Sequence, residues 1–259
     1  MKRLKPKELK LFLDEKFYQY NKPRFIETDP VSIPHLFSKK EDIEIAGFLA
    51  STIAWGQRKT ILLNARRLLQ WMDNDPHNFI LNFTKTDLNS FKKFVHRTFN
   101  GDDCLFYLRS LQHIYKGKKG LSALFEKVAK KNDPDLLNSI ANARSVFFEL
   151  SHLRRTEKHF PDPASGSAAK RLNMFLRWMV RNDKSGVDFG IWKNISSSQL
   201  ICPLDVHSGR VARKLGLLQR KQNDWKAAFE LTNNLKKFDP SDPVKYDFAL
   251  FGLGVFEKF

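Results

Sequence analysis

Cysteine is scarce in this chain of 259 residues, which holds only Cys104 and Cys202. Two cysteines so far apart exclude a disulfide framework, a paired zinc knuckle and a four-cysteine iron–sulfur site. The histidines show no close pair with a helical ligand spacing. We therefore expect two reduced thiols, no bound metal and no cofactor.

Long apolar runs are also missing. The most apolar stretch, residues 43–55, is interrupted by Glu44, Gly47, Ser51 and Thr52, which excludes a membrane span. Residues 1–8 are basic but lack the apolar centre of a signal peptide. We expect a cytoplasmic protein that is not associated with a membrane.

Acidic residues are outnumbered, with 28 Asp and Glu against 45 Lys and Arg, which gives a net charge of +17. Such a charge attracts polyanions at long range, and nucleic acid is the commonest polyanionic partner. The 23 phenylalanines, 5 tryptophans and 5 tyrosines exclude a disordered tail. The composition therefore indicates a folded protein that binds nucleic acid, without identifying an activity.

Apolar residues recur at helical spacing along most of the chain, and runs of alternating β-branched residues are absent. This pattern predicts an all-α fold. The predicted helices are 6–20, 41–55, 57–72, 102–116, 120–130, 134–152, 166–182, 206–215, 224–236 and 243–254.

A polar, proline-rich joint at residues 154–167 separates two helical blocks. It predicts one bilobal helical unit, residues 1–259, with lobes of residues 40–150 and of residues 1–39 plus 151–259, and with a cleft between the lobes. One compact bundle with a long surface loop fits the composition equally well.

Two segments carry residues suited to chemistry. Residues 165–181 open like a helix after a tight turn, with Lys170 in the first turn, where the positive end of the helix dipole disfavours an ammonium ion. A neutral amine is the form that attacks carbon. In residues 201–217, Asp205 is placed to cap a helix that Gly216 ends. A solvated lysine and a plain N-cap are the structural alternatives.

The second segment, from Pro203-Leu204-Asp205-Val206-His207 through Arg210-Val211-Ala212-Arg213-Lys214-Leu215-Gly216-Leu217, resembles the signature of the helix-hairpin-helix DNA glycosylase superfamily. Gly166-Ser167-Ala168-Ala169-Lys170 lies upstream, in the place of that family's hairpin and catalytic lysine. The resemblance implies a glycosylase-like helical fold, with Asp205 as the catalytic carboxylate and Lys170 as the nucleophile. The spacing between them is closest to the archaeal 8-oxoguanine glycosylase branch, and the chain as a whole resembles a bacterial family of unassigned function.

The same resemblance implies contacts to DNA. The turn at Gly166 and Ser167 would bind a phosphate, although it has one glycine where the family usually has two. His207 and Arg210 are further expected nucleic-acid contacts. The family's cysteine cluster is absent, which agrees with the expectation of no iron–sulfur cluster.

Two other segments gain a role from the resemblance. Gln57 lies where glycosylases carry a side chain that fills the gap left by an extruded base, with Arg58 and Lys59 on nearby phosphates. Asp247 and Phe251 resemble the pair that reads and stacks on the damaged base. A surface turn and plain core packing are the alternatives, but a buried Asp247 would need a partner.

We therefore expect a monomeric DNA repair glycosylase with lysine-dependent lyase activity, acting on double-stranded DNA that carries an oxidised purine such as 8-oxoguanine. Two alternatives stay open. One is a non-catalytic DNA- or RNA-binding protein on a glycosylase-like scaffold, and the other is a helical scaffold that binds an acidic protein.

Overall fold

The computed structural model describes residues 4–182 and 184–259, so the first three residues of the basic N-terminal segment lie outside it. Helices dominate the described residues, which confirms the predicted helical class. The α-helices are α1 Pro6–Tyr20, α2 Pro23–Ile26, α3 Lys40–Thr52, α4 Arg58–Gln70, α5 Pro76–Asn82, α6 Gly101–Gly117, α7 Gly120–Glu126, α8 Leu137–Phe147, α9 Lys170–Val180, α10 Val206–Lys214, α11 Trp225–Lys236 and α12 Asp247–Val255.

Short elements connect the helices. Two strands, β1 Val95–His96 and β2 Phe99–Asn100, pair in antiparallel fashion. The 3₁₀ segments are Pro30–Ser32, Pro34–Leu36, Asp87–Asn89, Phe91–Lys93, Arg154–His159, Ser197–Gln199 and Pro243–Tyr246.

The observed bounds differ from the predicted ones where turns and short elements occur. The helix predicted from residue 166 begins at Lys170, because residues 163–166 form a turn. The helix predicted at 134–152 is shorter, Leu137–Phe147. The seven residues of α5 and the two-residue strands were not predicted, since such elements are too short to show a periodicity.

The chain folds as two compact units. Unit 1 consists of residues 1–25, 130–137 and 162–259, and unit 2 consists of residues 26–129 and 138–161. The lobe predicted at residues 40–150 thus begins at residue 26 and ends at residue 161 in the structure, without residues 130–137. No helix in the described part of the chain has the length and apolar character needed to span a membrane.

Aromatic rings form the centre of unit 2. Tyr107 of α6 stacks on Phe48 of α3 at 5.9 Å between ring centroids and meets Phe147 of α8 edge-on at 4.8 Å. Phe99 of β2 approaches the same tyrosine at 5.2 Å. Such edge-to-face pairs add to the free energy gained from burying the rings, so the abundant phenylalanines hold this unit together.

Helix α12 lies at the centre of unit 1, between α1 and α10. Its residues Phe248, Leu250 and Leu253 are fully buried. Glycines allow its neighbours to approach closely. A Cβ atom built at Gly252 would lie 2.1 Å from the ring of Tyr20 in α1, and one at Gly254 would lie 3.2 Å from Cβ of His207 in α10.

We expect Gly252→Ala to destabilise the protein by about 1–3 kcal/mol, because the added methyl group overlaps a ring in a packed interface. Gly117→Ala is the control, since a Cβ there meets nothing within 4 Å, and alanine favours the helix. Urea unfolding measures both free energies. Equal stability of wild type and Gly252→Ala would contradict the close packing of α1 on α12.

Candidate active site

The turn before α9 is fixed by its own side chains. The carboxylate of Asp162 accepts hydrogen bonds from the amide of Ala164 at 3.0 Å and from the hydroxyl of Ser165 at 2.7 Å. Gly166 has a φ of +91°, which favours glycine, and open space surrounds its Cα. The carbonyl of Gly166 accepts from the amide of Trp225 at 3.1 Å. The turn is therefore exposed at Gly166 but anchored to the start of α11.

Lys170 is the first residue of α9 and follows a constrained residue. Ala169 has a φ of +47°, in the left-handed region that residues other than glycine rarely adopt. Its amide donates to the hydroxyl of Ser167 at 3.2 Å, and Asn173 donates from its side chain to the carbonyl of Ala168 at 3.1 Å. These bonds hold the backbone that positions Lys170.

Asp205 caps α10, as the sequence predicts. Its Oδ1 accepts from the amide of Ser208 at 2.9 Å, and the Ser208 hydroxyl accepts from the amide of Asp205 at 2.9 Å. This reciprocal capping box satisfies two amides at the start of the helix and fixes the carboxylate. Gly216, with a φ of +73°, follows the end of the same helix.

The predicted catalytic pair is together in the structure. Nζ of Lys170 lies 2.7 Å from Oδ2 of Asp205, and the two side chains are 32% and 22% exposed. Burial alone would raise the pKa of Asp205, but the Lys170 ammonium and the hydrogen bonds from Ser208 outweigh it and lower that pKa below its ordinary value. An ionised carboxylate and an amine therefore lie side by side, within reach of solvent.

Two buried arginines, Arg177 of α9 and Arg181 directly after its end, lie behind this pair. Nε of Arg177 donates to Asp188 at 3.2 Å, and another nitrogen of its guanidinium group pairs with Asp247. Arg181 donates to Asp188 at 2.9 Å and to Asp242 at 2.9 Å. Three carboxylates thus surround two guanidinium groups in the interior, where unpaired charges are costly. We call these five residues the buried ionic cluster.

Asp247 belongs to this cluster and is the first residue of α12. It is 7% exposed, so the partner that a buried carboxylate requires is present as Arg177. Burial raises the pKa of Asp247 to about 6, against the opposing effects of Arg177 and Lys170. The ionisation of Asp247 is thus coupled electrostatically to Lys170, and also to Asp205.

The remaining predicted residues of unit 1 lie at or near the surface. Phe251 is half-buried and meets Phe25 at 5.8 Å and Phe256 at 5.9 Å, both edge-on. Ser167 is half-buried in the turn before α9. His207 and Arg210 are exposed on α10, and Arg210 donates to the carbonyl of Gly254 at 3.3 Å.

The predicted contacts at Gln57, Arg58 and Lys59 belong to unit 2. Gln57 is the residue before α4, and its side chain is exposed. Lys59 is exposed as well, whereas Arg58 is half-buried and donates to the hydroxyl of Thr28 at 3.5 Å. The two exposed side chains are available for contact with a ligand of unit 2.

The described residues form neither a reactive thiol beside Asp205 nor a metal site. Burial raises the pKa of the Cys202 thiol well above its ordinary value, which makes this cysteine an unreactive neighbour of Asp205. No group of three potential metal ligands is found in the described part of the chain. A cleft of about 710 Å³ lies elsewhere in unit 1, between the start of α1 and the segment after α10, and none of the predicted site residues lines it.

Sequence reasoning missed most of the buried ionic cluster. In the sequence, Arg177 and Arg181 follow Lys170 by seven and eleven residues on one helical face, and this pattern is typical of a basic surface. The signal available in the sequence was the four-residue spacing of Arg177 and Arg181, next to the apolar face of α9. Their partners Asp188 and Asp242 lie in irregular segments, where periodicity carries no information about burial.

Comparison with known proteins gives one match. Residues 29–256, most of the chain, match the sequence model of a family described as protein of unknown function (DUF2400). No curated protein and no solved structure matches the chain. The chemistry of the site therefore has to be argued from the residues themselves.

We expect Arg177→Met to destabilise the protein by about 3–5 kcal/mol, because it leaves buried Asp247 without its cation and leaves Asp188 with Arg181 alone. Arg220→Met is the control. It breaks a surface ion pair with Asp224, for which we expect a much smaller loss. Chemical denaturation measures both variants, and a similar small loss in each would show that the buried pairing contributes little.

The raised pKa of Asp247 predicts a dependence of stability on pH. Its folded pKa of about 6 exceeds the ordinary value of 3.8, so its contribution to stability is fully present below pH 3.8 and is lost as pH rises through 6. Between pH 4 and pH 7 the free energy of unfolding of wild type should fall by up to about 3 kcal/mol relative to Asp247→Asn.

Exposed Asp75 provides the matched control, because asparagine is an equally good residue at that N-cap position. Asp75→Asn measures the effect of the same substitution at an exposed carboxylate over the same range. A flat difference for Asp247→Asn would contradict the raised pKa.

Proposed function

We propose a function for this chain, which belongs to the DUF2400 family of proteins of unknown function, from the geometry of Lys170 and Asp205. The protein is a DNA glycosylase of base-excision repair with lysine-dependent AP lyase activity. The observation that carries this proposal is the 2.7 Å contact between an amine and an ionised carboxylate that solvent can reach. The resemblance of both segments to the helix-hairpin-helix glycosylases supports it.

Base release is the first step. The bond between C1′ of the sugar and the base nitrogen breaks, and its electron pair leaves with the base. The sugar becomes oxocarbenium-like, and the negative charge of Asp205 stabilises it. The lowered pKa of Asp205 suits this role, because the carboxylate stays ionised at neutral pH.

Lys170 acts in both steps. Its ammonium group gives a proton to the base as the base departs, and in the second step the freed lone pair forms a bond to C1′. The added nitrogen then passes a proton to the ring oxygen O4′ as the bond between C1′ and O4′ breaks, which opens the ring and produces a protonated Schiff base. Loss of a proton from C2′ then expels the 3′ phosphate, and water hydrolyses the Schiff base to release the enzyme. The capping box is suited to keeping Asp205 in place throughout.

Asp247 and Phe251 are the proposed base-recognition residues. The carboxylate of Asp247 accepts from N–H groups of an oxidised purine such as 8-oxoguanine, and the half-buried ring of Phe251 stacks on the base. Stacking of a base on an aromatic side chain contributes about 1–3 kcal/mol in nucleic-acid binding. The duplex is contacted by Gly166, Ser167, His207 and Arg210 of unit 1 and by Gln57, Arg58 and Lys59 of unit 2.

A second candidate is a non-catalytic nucleic-acid-binding protein. One observation favours it: the amine of Lys170 is already engaged in a hydrogen bond to Asp205, and an amine held in this way is not free to attack carbon. In this case the ion pair would serve only to join α9 to α10. Covalent bond formation between the Lys170 amine and the sugar distinguishes the two candidate functions.

Borohydride trapping tests the proposal, with duplexes that carry 8-oxoguanine, uracil or an abasic site. We expect wild type to form a covalent adduct and Lys170→Gln to form none. Asp205→Asn should slow base release by about 10²–10³-fold, because the charge beside the sugar is lost.

Lys226→Gln is the matched control, since Lys226 is likewise a lysine in the first turn of a helix of unit 1, and its side chain is exposed. It should trap as efficiently as wild type. Efficient trapping by Lys170→Gln would assign the nucleophile to another residue. No adduct and no base release from any duplex with wild type would favour the non-catalytic candidate.

A further inference from the structure

Two exposed turns of unit 2 meet at a glycine. The Gln57 loop, residues 53–57, joins α3 to α4, and the Arg97 hairpin, residues 95–100, consists of β1, β2 and the turn between them. A Cβ atom at Gly56 would lie 3.1 Å from a guanidinium nitrogen of Arg97 and 3.2 Å from its Cδ. The side chain of Arg97 therefore lies across the backbone of the Gln57 loop, one residue before Gln57.

The backbone at this contact is constrained on both sides. Gly56 has a φ of +104°, which suits glycine. Arg97 has a φ of +54°, in the left-handed region, although arginine has no local feature that favours it. Residues other than glycine keep such a conformation where the surrounding structure imposes it, and they are concentrated at ligand sites. Arg97 is nonetheless exposed.

A buried histidine joins the loop to the hairpin. Nδ1 of His96 accepts from the side-chain amide of Asn64 at 2.9 Å, which leaves Nε2–H to donate to the carbonyl of Trp55 at 3.0 Å. The ring of Trp55 meets His96 edge-on at 5.0 Å and stacks on His159 at 5.9 Å. His96, which directly precedes Arg97, thus holds the Gln57 loop at Trp55, the residue before Gly56.

The other side of the hairpin is held by Arg155. Its guanidinium group donates to the carbonyl of Thr98 at 2.8 Å and to the side chains of Asn100 and Asp103, each at 2.9 Å. Asp103 is fully buried, and its charge is balanced by Arg155 within unit 2. These contacts fix the tip of the hairpin, so the position of Arg97 is set before any ligand binds.

The surface around this contact is basic. Exposed Lys59 follows the Gln57 loop by two residues, and exposed Lys92 and Lys93 precede the hairpin. A guanidinium group on a rigid turn, with lysines on both flanking segments, suits the phosphodiester backbone of a nucleic acid. Little of the binding energy is then lost in ordering the turn, because it is already ordered.

We propose that the Gln57 loop and the Arg97 hairpin form one rigid contact to double-stranded DNA, in which Arg97 binds a backbone phosphate beside Gln57. This inference rests on the proposed function for the choice of duplex DNA as the partner. Nothing in the sequence pattern singled out Arg97. We assign Arg97 this role from its contact with Gly56 and from the anchoring of the two turns by His96 and Arg155.

Fluorescence anisotropy tests this contact, with the full-length protein and a duplex that carries a tetrahydrofuran abasic analogue, titrated at several salt concentrations. Arg97→Gly should lower the affinity at 0.1 M salt by roughly eightfold and reduce the slope of log K against log salt by about one. Its thermal midpoint should stay equal or rise, because glycine adopts the left-handed backbone freely.

Two further variants complete the design. Arg97→Lys keeps the charge and should restore the salt slope. Lys85→Gln removes an exposed charge from the loop after α5 and should leave the slope unchanged. A loss of slope in Arg97→Gly without loss of stability separates phosphate binding from a merely structural role.

Wild-type affinity and slope in Arg97→Gly would overturn the inference while leaving the proposed function intact. If wild type binds no duplex, both fail together. If wild type binds the duplex and Arg97→Gly shows the reduced slope, but no borohydride adduct forms, the contact stands and the enzyme proposal fails.

Discussion

Burial of two guanidinium groups is the constraint on which unit 1 depends. Arg177 of α9 and Arg181, the residue that follows the end of α9, are both buried, and neither can lose its charge. Carboxylates from three separate segments, at Asp188, Asp242 and Asp247, must therefore converge on one helix. Lys170 is the first residue of the same helix. The ion pair of Arg177 with Asp247, which positions α12, therefore also fixes the helix that holds the amine.

The cluster carries an excess of negative charge when all five groups are ionised, and burial raises the pKa of Asp247, with a smaller contribution from the nearby carboxylates of Asp205 and Asp188. A proton on Asp247 would bring the cluster to neutrality. Lys170 and Asp205 add one charge of each sign and leave this balance unchanged. The polar residues around the candidate site are thus one electrostatic system, in which stability and the ionisation of Asp247 cannot be altered separately.

Much of unit 1 could be predicted from local sequence signals. The cap at Asp205 and the glycine after α10 follow from preferences of single residues, and the pairing of Lys170 with Asp205 follows from a family resemblance. The burial of Arg177 could not be predicted, because its partners are distant in sequence and belong to irregular segments or to the start of another helix. In unit 2, the approach of Arg97 to Gly56 depends on a hairpin of two-residue strands, which leaves no periodic trace in the sequence.

The two oxygens of Asp205 serve different partners. Oδ1 accepts from Ser208 within its own helix, and Oδ2 accepts from Lys170. Because the anchoring bonds are made entirely by α10, the anion keeps its place whether or not a lysine faces it. Under the proposed function, the charge that stabilises a cationic sugar and the amine that captures this sugar therefore belong to separately anchored residues. Substitution of Lys170 alone would then remove the covalent capture and leave the carboxylate of Asp205 in place.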